Sequence, residues 1–354
     1  MPSKYHFLSS SVLIVIVFFL GCQNSSKEQI SEYNIEPVEI GEFELFADFD
    51  QHGLVRPVQL EMLPNGYVAI LDNQTNKVHI LDFDGEIVTS FGGEGRGPGE
   101  SLNAMQLQAS DDYLYVVDSN LRRINQFSHE GELIQSFNFD TGRFRPYVTV
   151  KDNGSYFTMT MGSNDALVRL VDLQSDSTYY FGEAIGEEYQ PGDLEIERRV
   201  LQRGELPDLM KNQITKYYSG DHLYVFLDVY SRLQKYTKQG DLVWEQPIDM
   251  PVNQIIFDKV VERAHEPESA GGVPVLRYIL SMKIVEEKPY LLWYPADDHP
   301  QSLVKTDENG NIEAIFYLQD DEFVFFDFSI DSENNFLYLI ESETSQIYRT
   351  KLPD

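Results

Sequence analysis

From about residue 55 onward, apolar residues fall in short runs that alternate with polar ones, and polar turns separate the runs. Alternation of this kind is the mark of half-buried β-strands. The pattern also repeats. The units are GYVAILDNQTNKVHILDFDGEIVTSFG from Gly66, DYLYVVDSNLRRINQFSHEGELIQSFNF from Asp112 and GSYFTMTMGSNDALVRLVDLQSDSTYYFG from Gly154. Then follow GDHLYVFLDVYSRLQKYTKQGDLVWEQPI from Gly220, KPYLLWYPADDHPQSLVKTDENGNIEAIFYL from Lys288 and NNFLYLIESETSQIYRTKLPD from Asn334. Asp72 and Asp118 are 46 residues apart, and Asp118 and Asp228 are 110 apart, which spans two units and an insertion. Repeats of about 40 to 50 residues with several short strands each predict the blades of a propeller. Asp84-Gly85, Glu130-Gly131, Gln239-Gly240 and Asn309-Gly310 stand between alternating runs, as tight hairpins require.

The count predicts an all-β fold, a six-bladed β-propeller over residues 41–354. The sixth unit lacks an outer strand, and residues 41–49, GEFELFADF, form a strand with nothing before them to pair with. The N-terminal strand is therefore expected to complete the last blade and close the ring, which removes exposed strand edges. Two stretches interrupt the repeat, about 183–215 and 251–275. The first reads as a helix-rich excursion carrying Arg198, Arg199 and Arg203, and the second as a helical turn followed by a Gly-Gly lid.

The stretch FGGEGRGPGE, residues 91–100, holds five glycines and a proline. It has no lysine and leads into a strand, so it is neither a Walker loop nor a dinucleotide fingerprint. A sharp blade-to-blade crossover with positive φ angles fits it better. Gly95-Arg96-Gly97-Pro98-Gly99-Glu100, after Phe91-Gly92, resembles a signature of bacterial six-bladed β-propeller lipoproteins related to NHL-repeat proteins. YVVDSNLRRINQFSHEGEL from Tyr115 likewise resembles an NHL repeat. Units three and five depart from the pattern, with Met161 or Pro295 in place of the aspartate. The resemblance implies an extracytoplasmic propeller and supplies no catalytic motif.

Residues 12–20, VLIVIVFFL, are an unbroken apolar run followed by Leu20-Gly21-Cys22. The run is too short for a permanent membrane span and suits a signal peptide over residues 1–21. The junction resembles the lipobox of bacterial lipoproteins, although Phe19 stands where an aliphatic residue is usual. That resemblance implies lipidation of Cys22, a membrane partner through the lipid, and a polar tether over 22–40. Cys22 is the only cysteine, so the mature chain has no disulfide. The expected location is the cell envelope, facing the periplasm or on the outer-membrane surface.

With 27 basic and 58 acidic residues the net charge is −31. Such a surface repels phosphate backbones and excludes nucleic acid as a partner. Against that charge, Arg56, Arg145 and Arg277 stand at the starts of the innermost strands of blades one, three and five, with Asn103 and Asn212 near that phase in blades two and four. Three guanidiniums around a channel would capture an anion; the alternative is that each pairs with a neighbouring carboxylate. Asp82-Phe83-Asp84-Gly85 echoes the start of a calcium loop but lacks its later ligands. His52, His79, His129, His222, His265 and His299 show no metal-binding spacing, though they could converge at a channel mouth as in propeller lyases and lactonases. No cofactor is predicted, and no motif supports calcium or zinc. The sequence points to a binding or scaffold propeller for an anionic ligand, a glycan or an envelope protein, with a metal-assisted propeller lyase or lactonase as the alternative.

Overall fold

The computed structural model describes residues 35–354 except 141–146, 152–153, 191–192, 268–271, 297–298, 320–322 and 354. Six sheets stand in a ring, each ordered from an inner to an outer strand and antiparallel throughout its first four strands. The inner strands are Pro57–Met62, Ala104–Ala109, Val148–Val150, Ile214–Ser219, Ile279–Val285 and Phe325–Asp331. The ring is closed through these strands: the sixth packs on the first as well as on the fifth. Strand Glu44–Ala47 pairs antiparallel with Ile347–Lys351 and supplies the outer strand of blade 6, as the sequence predicts.

Val38–Ile40 lies in the segment expected as tether, yet it forms a strand. It pairs parallel with Ile312–Leu318 and gives blade 5 a fifth strand. Its backbone covers an outer edge that would otherwise present unpaired amides and carbonyls.

The core is not one mass but six slabs, one between each pair of neighbouring blades. The second strands, such as Val68–Asp72 and Leu114–Asp118, are buried along their whole length because both faces of a blade sheet meet a neighbour. Glycines at the outer hairpins lock the slabs from outside. A Cβ on Gly131 would lie 2.4 Å from the Phe91 ring of the preceding blade, and on Gly240 2.6 Å from Phe181. Gly310 sits in the same way against Trp244 at 2.6 Å, and Gly85 meets the backbone carbonyl of Phe46 in the closing strand at 2.8 Å, with the Phe46 ring at 3.5 Å. Each hairpin thus needs glycine for its positive φ and for the aromatic seated on it.

Because strands alternate in direction, each inner strand begins at the face bearing the blade-to-blade connections and ends at the face bearing the first hairpins. These are called the crossover face and the hairpin face. The two insertions meet on the crossover side: helix Leu194–Gln202 packs on helix Val252–His265. Arg198 is buried between them and donates to the carbonyls of Ala264 and Glu266 at the end of the second helix. That satisfies carbonyls a helix end leaves unpaired.

Candidate functional site

The repeated aspartate is a construction element. Asp72 accepts from Val55 N at 2.7 Å with one oxygen and from Gln74 N and Thr75 N with the other. Asp118 does the same for Leu102, Asn120 and Leu121. One buried carboxylate therefore shapes a turn and staples the crossover strand. Blade 4 departs: Asp228 accepts from Thr215 Oγ1 at 2.8 Å and faces Arg277 Nε of the next blade at 3.4 Å. Burial pushes the Asp228 carboxyl up, and Arg277 opposes that rise.

Inner strands are joined across blades by side chains. Gln59 Oε1 accepts from Leu107 N at 2.8 Å, Gln106 Oε1 from Val148 N at 2.9 Å, and Gln108 Oε1 from Val150 N at 2.9 Å. On the other side of the ring the links are ionic. Lys283 Nζ lies 2.8 Å from Glu61 Oε1 and 3.8 Å from Asp327 Oδ2, and donates to the Leu60 carbonyl at 2.6 Å. Tyr217 donates its hydroxyl to Glu61 Oε2 at 2.9 Å, and Ser281 donates to Asp327. Blades 1, 4, 5 and 6 are tied by these groups. Burial raises the carboxyls of Glu61 and Asp327, with Lys283 pulling both back. Burial also works against the Lys283 ammonium, but the charges of Asp327 and Glu61 prevail and hold it above the ordinary lysine value. The middle of the ring is thus a connected polar plug.

Beside this plug the hairpin face opens into a cavity of about 660 Å³. All six first hairpins contribute to its walls, with Tyr217, Tyr218 and Gln108 from inner strands and Tyr115 from the second strand of blade 2. The hairpins bring Asp111, Asp112, Asp221, Glu286 and Glu333 around it, all exposed, against Lys151. Asp221 also pairs with Lys238 at 2.9 Å. The site is a concave acidic rim with tyrosines within.

The residues singled out from sequence fare differently. Arg277 is held by Asp228 and donates to Thr215 Oγ1 at 3.0 Å, which is the carboxylate pairing weighed against ligand capture. Arg56 is exposed on the crossover side. Arg145 lies outside the described residues. Asn103 donates to Ser119 Oγ at 2.6 Å, and Asn212 is fully buried with both amide atoms on the backbone of Ile185. These two asparagines hold loops rather than line a site. The basic patch of the first insertion also dissolves: Arg198 is buried, Arg199 meets Glu195 at 3.2 Å and Arg203 meets Glu205 at 3.1 Å.

Asp82 Oδ1 accepts from Asp84 N and Glu86 N, so the DFDG stretch is a hairpin turn. The glycine-rich stretch is the crossover: Glu100 accepts from Gly97 N at 2.7 Å, and Arg123 donates to the carbonyls of Arg96 and Gly97. The histidines are spread over different blades. His79 bonds Ser90, His129 the Ser110 carbonyl and His265 the Gln202 carbonyl. Among the described residues no cluster of His, Cys, Asp or Glu could hold a metal ion.

Sequence reasoning passed over Glu61, Tyr217, Lys283 and Asp327. The available signal was a charge inside an apolar inner strand: VQLEML, LSMKIV and FFDFSI each carry one. A buried charge is almost always paired, but the partners lie on different blades and only the ring brings them together.

Residues 50–190 match the model of a protein family described as a 6-bladed beta-propeller, DUF5128. A search of curated proteins finds no match. Among solved structures, a putative exported protein from Bacteroides fragilis is 11% identical, with a TM-score of 0.54 over 89% of this chain and 98% of that one. A member of the DUF4221 family from Bacteroides vulgatus is 13% identical, with a TM-score of 0.49 over 87% and 97%. An inactive virginiamycin B lyase from Staphylococcus aureus, with quinupristin, is 15% identical, with a TM-score of 0.48 over 88% and 100%. At these identities the likeness is of fold and carries no activity. The ring of six sheets and the match over residues 50–190 both show a six-bladed β-propeller.

Proposed function

We propose that the chain is an exported, lipid-anchored binding protein of the cell envelope, which takes a cationic ligand, such as a basic peptide segment or an amine, at its hairpin face. The observation that carries the reading is the cavity built by all six hairpins, with carboxylates from four of them around it. Loops on a rigid scaffold are where binding residues concentrate, and one sign of charge in a concave site focuses its field on the opposite sign. The arginine pattern suggested an anion; Arg277 is already committed to Asp228, so the cavity favours the other sign. Two things support the envelope location: the apolar run ending in Leu20-Gly21-Cys22, and the exported character of the Bacteroides fragilis structure.

The test is calorimetric titration of the full chain with spermine, a short Lys/Arg peptide and an acidic peptide of equal length. Cationic probes are expected to bind and to weaken as salt rises, because exposed charges are screened. Combining Asp112→Asn, Asp221→Asn and Glu286→Gln is expected to weaken them by about tenfold or more. Equal binding of the acidic peptide, or no effect of the triple change, would overturn the reading. Mass spectrometry of the N-terminal peptide tests the anchor, which predicts acyl chains on Cys22.

A further inference from the structure

The cavity on the hairpin face offers a ligand two kinds of wall. Half-buried Met62, Tyr217 and Val285 line it from the ends of the inner strands of blades 1, 4 and 5. The polar groups on these strands are already engaged. Tyr217 donates its hydroxyl to Glu61 Oε2 at 2.9 Å, and Gln108 uses both amide atoms on the Val150 backbone, at 2.7 and 2.9 Å. A ligand at this depth therefore meets ring carbon, thioether and methyl groups. A charge placed there would lose water and find no acceptor that is not already bonded. With a volume of about 660 Å³, the space is of the size that small-molecule sites have.

Charge is confined to the mouth, and it is not evenly spread. Lys151 lines the cavity from blade 3, and Asp112 and Asp221 stand on the two blades beside it. Asp221 is also paired with Lys238 at 2.9 Å. Glu286 and Glu333 belong to blades 5 and 6, which adjoin each other and lie two and three places around the ring from Lys151. Both are exposed, and among the described residues neither has an ion pair or a side-chain hydrogen bond. They are the carboxylates left for an incoming cation. Val285 and Glu286 are adjacent in the chain, so the apolar wall and the free carboxylates meet at blade 5.

We propose that the cavity selects amphipathic monocations, alkyl- or arylammonium ions, with the ammonium at Glu286 and Glu333 and the apolar body against Met62, Tyr217 and Val285. This rests on the cationic reading of the hairpin face and narrows it. A polyamine or a Lys/Arg peptide meets the mouth alone, whereas an ammonium with one apolar end uses mouth and wall together.

The full chain, purified in detergent, is titrated calorimetrically with butyl-, pentyl- and hexylammonium, hexane-1,6-diammonium, hexan-1-ol and spermine, each against a detergent-only blank. Affinity is expected to rise about fourfold per methylene, and so about 16-fold from butyl- to hexylammonium. The diammonium is expected to bind about tenfold more weakly than hexylammonium, since its far end must be desolvated. Changing Glu286→Gln and Glu333→Gln together is expected to weaken hexylammonium by about tenfold, and by more than Asp112→Asn does. Equal affinity of butyl- and hexylammonium, or tighter binding of the diammonium, with spermine still bound, would overturn the amphipathic class and leave the cationic reading standing. A larger effect of Asp112→Asn would overturn the placement of the ammonium. Hexanol binding as tightly as hexylammonium, or no binding of any cation, would overturn both readings.

Discussion

Replacing Lys283 by Met keeps much of the side chain's volume and removes its charge. Glu61 and Asp327 would then share a buried site without a cation. The side chains of Lys283, Glu61 and Asp327 are 4%, 3% and 8% exposed, so solvent screens little. Breaking a buried pair from one side costs about 3–5 kcal/mol. A ring of this size loses roughly 2 °C of melting temperature per kcal/mol, so a fall of about 6–10 °C is expected at pH 7. The loss should depend on pH. In the variant both carboxyls lie further above their unfolded values, so the folded state binds more protons than the unfolded one. Stability then falls as pH rises from the ordinary carboxylate range through the raised folded values, and the variant should be nearer wild type at pH 5 than at pH 8. Adding Glu61→Gln should recover part of the loss, since one stranded charge is gone. Calorimetric melts of the three proteins at several pH values check this. A Lys283→Met protein within about 1 kcal/mol of wild type at pH 7, or equally weakened at pH 5 and pH 8, would refute the plug as described.

Other consequences are more local. Gly131→Ala puts a Cβ 2.4 Å from the Phe91 ring at a φ of +90° and should cost about 2–4 kcal/mol from strain and overpacking, read by denaturant melts. Arg198→Met leaves the Ala264 and Glu266 carbonyls without that donor and should speed hydrogen exchange in helix Val252–His265 while the blades stay protected. Arg277→Met strands the buried Asp228 carboxylate and should cost about 1–3 kcal/mol at pH 7, less than a fully buried pair because Arg277 is partly exposed; melts at pH 5 and pH 7 should show a smaller loss at the lower pH.

The fold was legible because its determinants are local and repeated. Asp72 and Asp118 each mark a turn and a staple at a fixed place in the unit, and the glycines of the outer hairpins mark positions where an aromatic of the previous blade must sit. The closing strand was legible as a missing partner at one end and a spare strand at the other. Val38–Ile40 was not, since three residues paired parallel to a distant strand carry no pattern of their own. Sites were harder for a related reason. Arg277 and Asp228 look independent in sequence, and only the meeting of blades 4 and 5 pairs them. Glu61, Lys283 and Asp327 come from three blades, and the acidic cavity from six hairpins of unlike sequence. Spacing within one unit cannot report a site that the whole ring assembles.

The most direct measurement of the binding claim is hydrogen exchange of the full chain with and without saturating Lys/Arg peptide. The account predicts slower exchange in the hairpins around Asp111, Asp221 and Glu286, with the crossover loops unchanged. Protection confined to the crossover loops, or none anywhere at saturation, would contradict it.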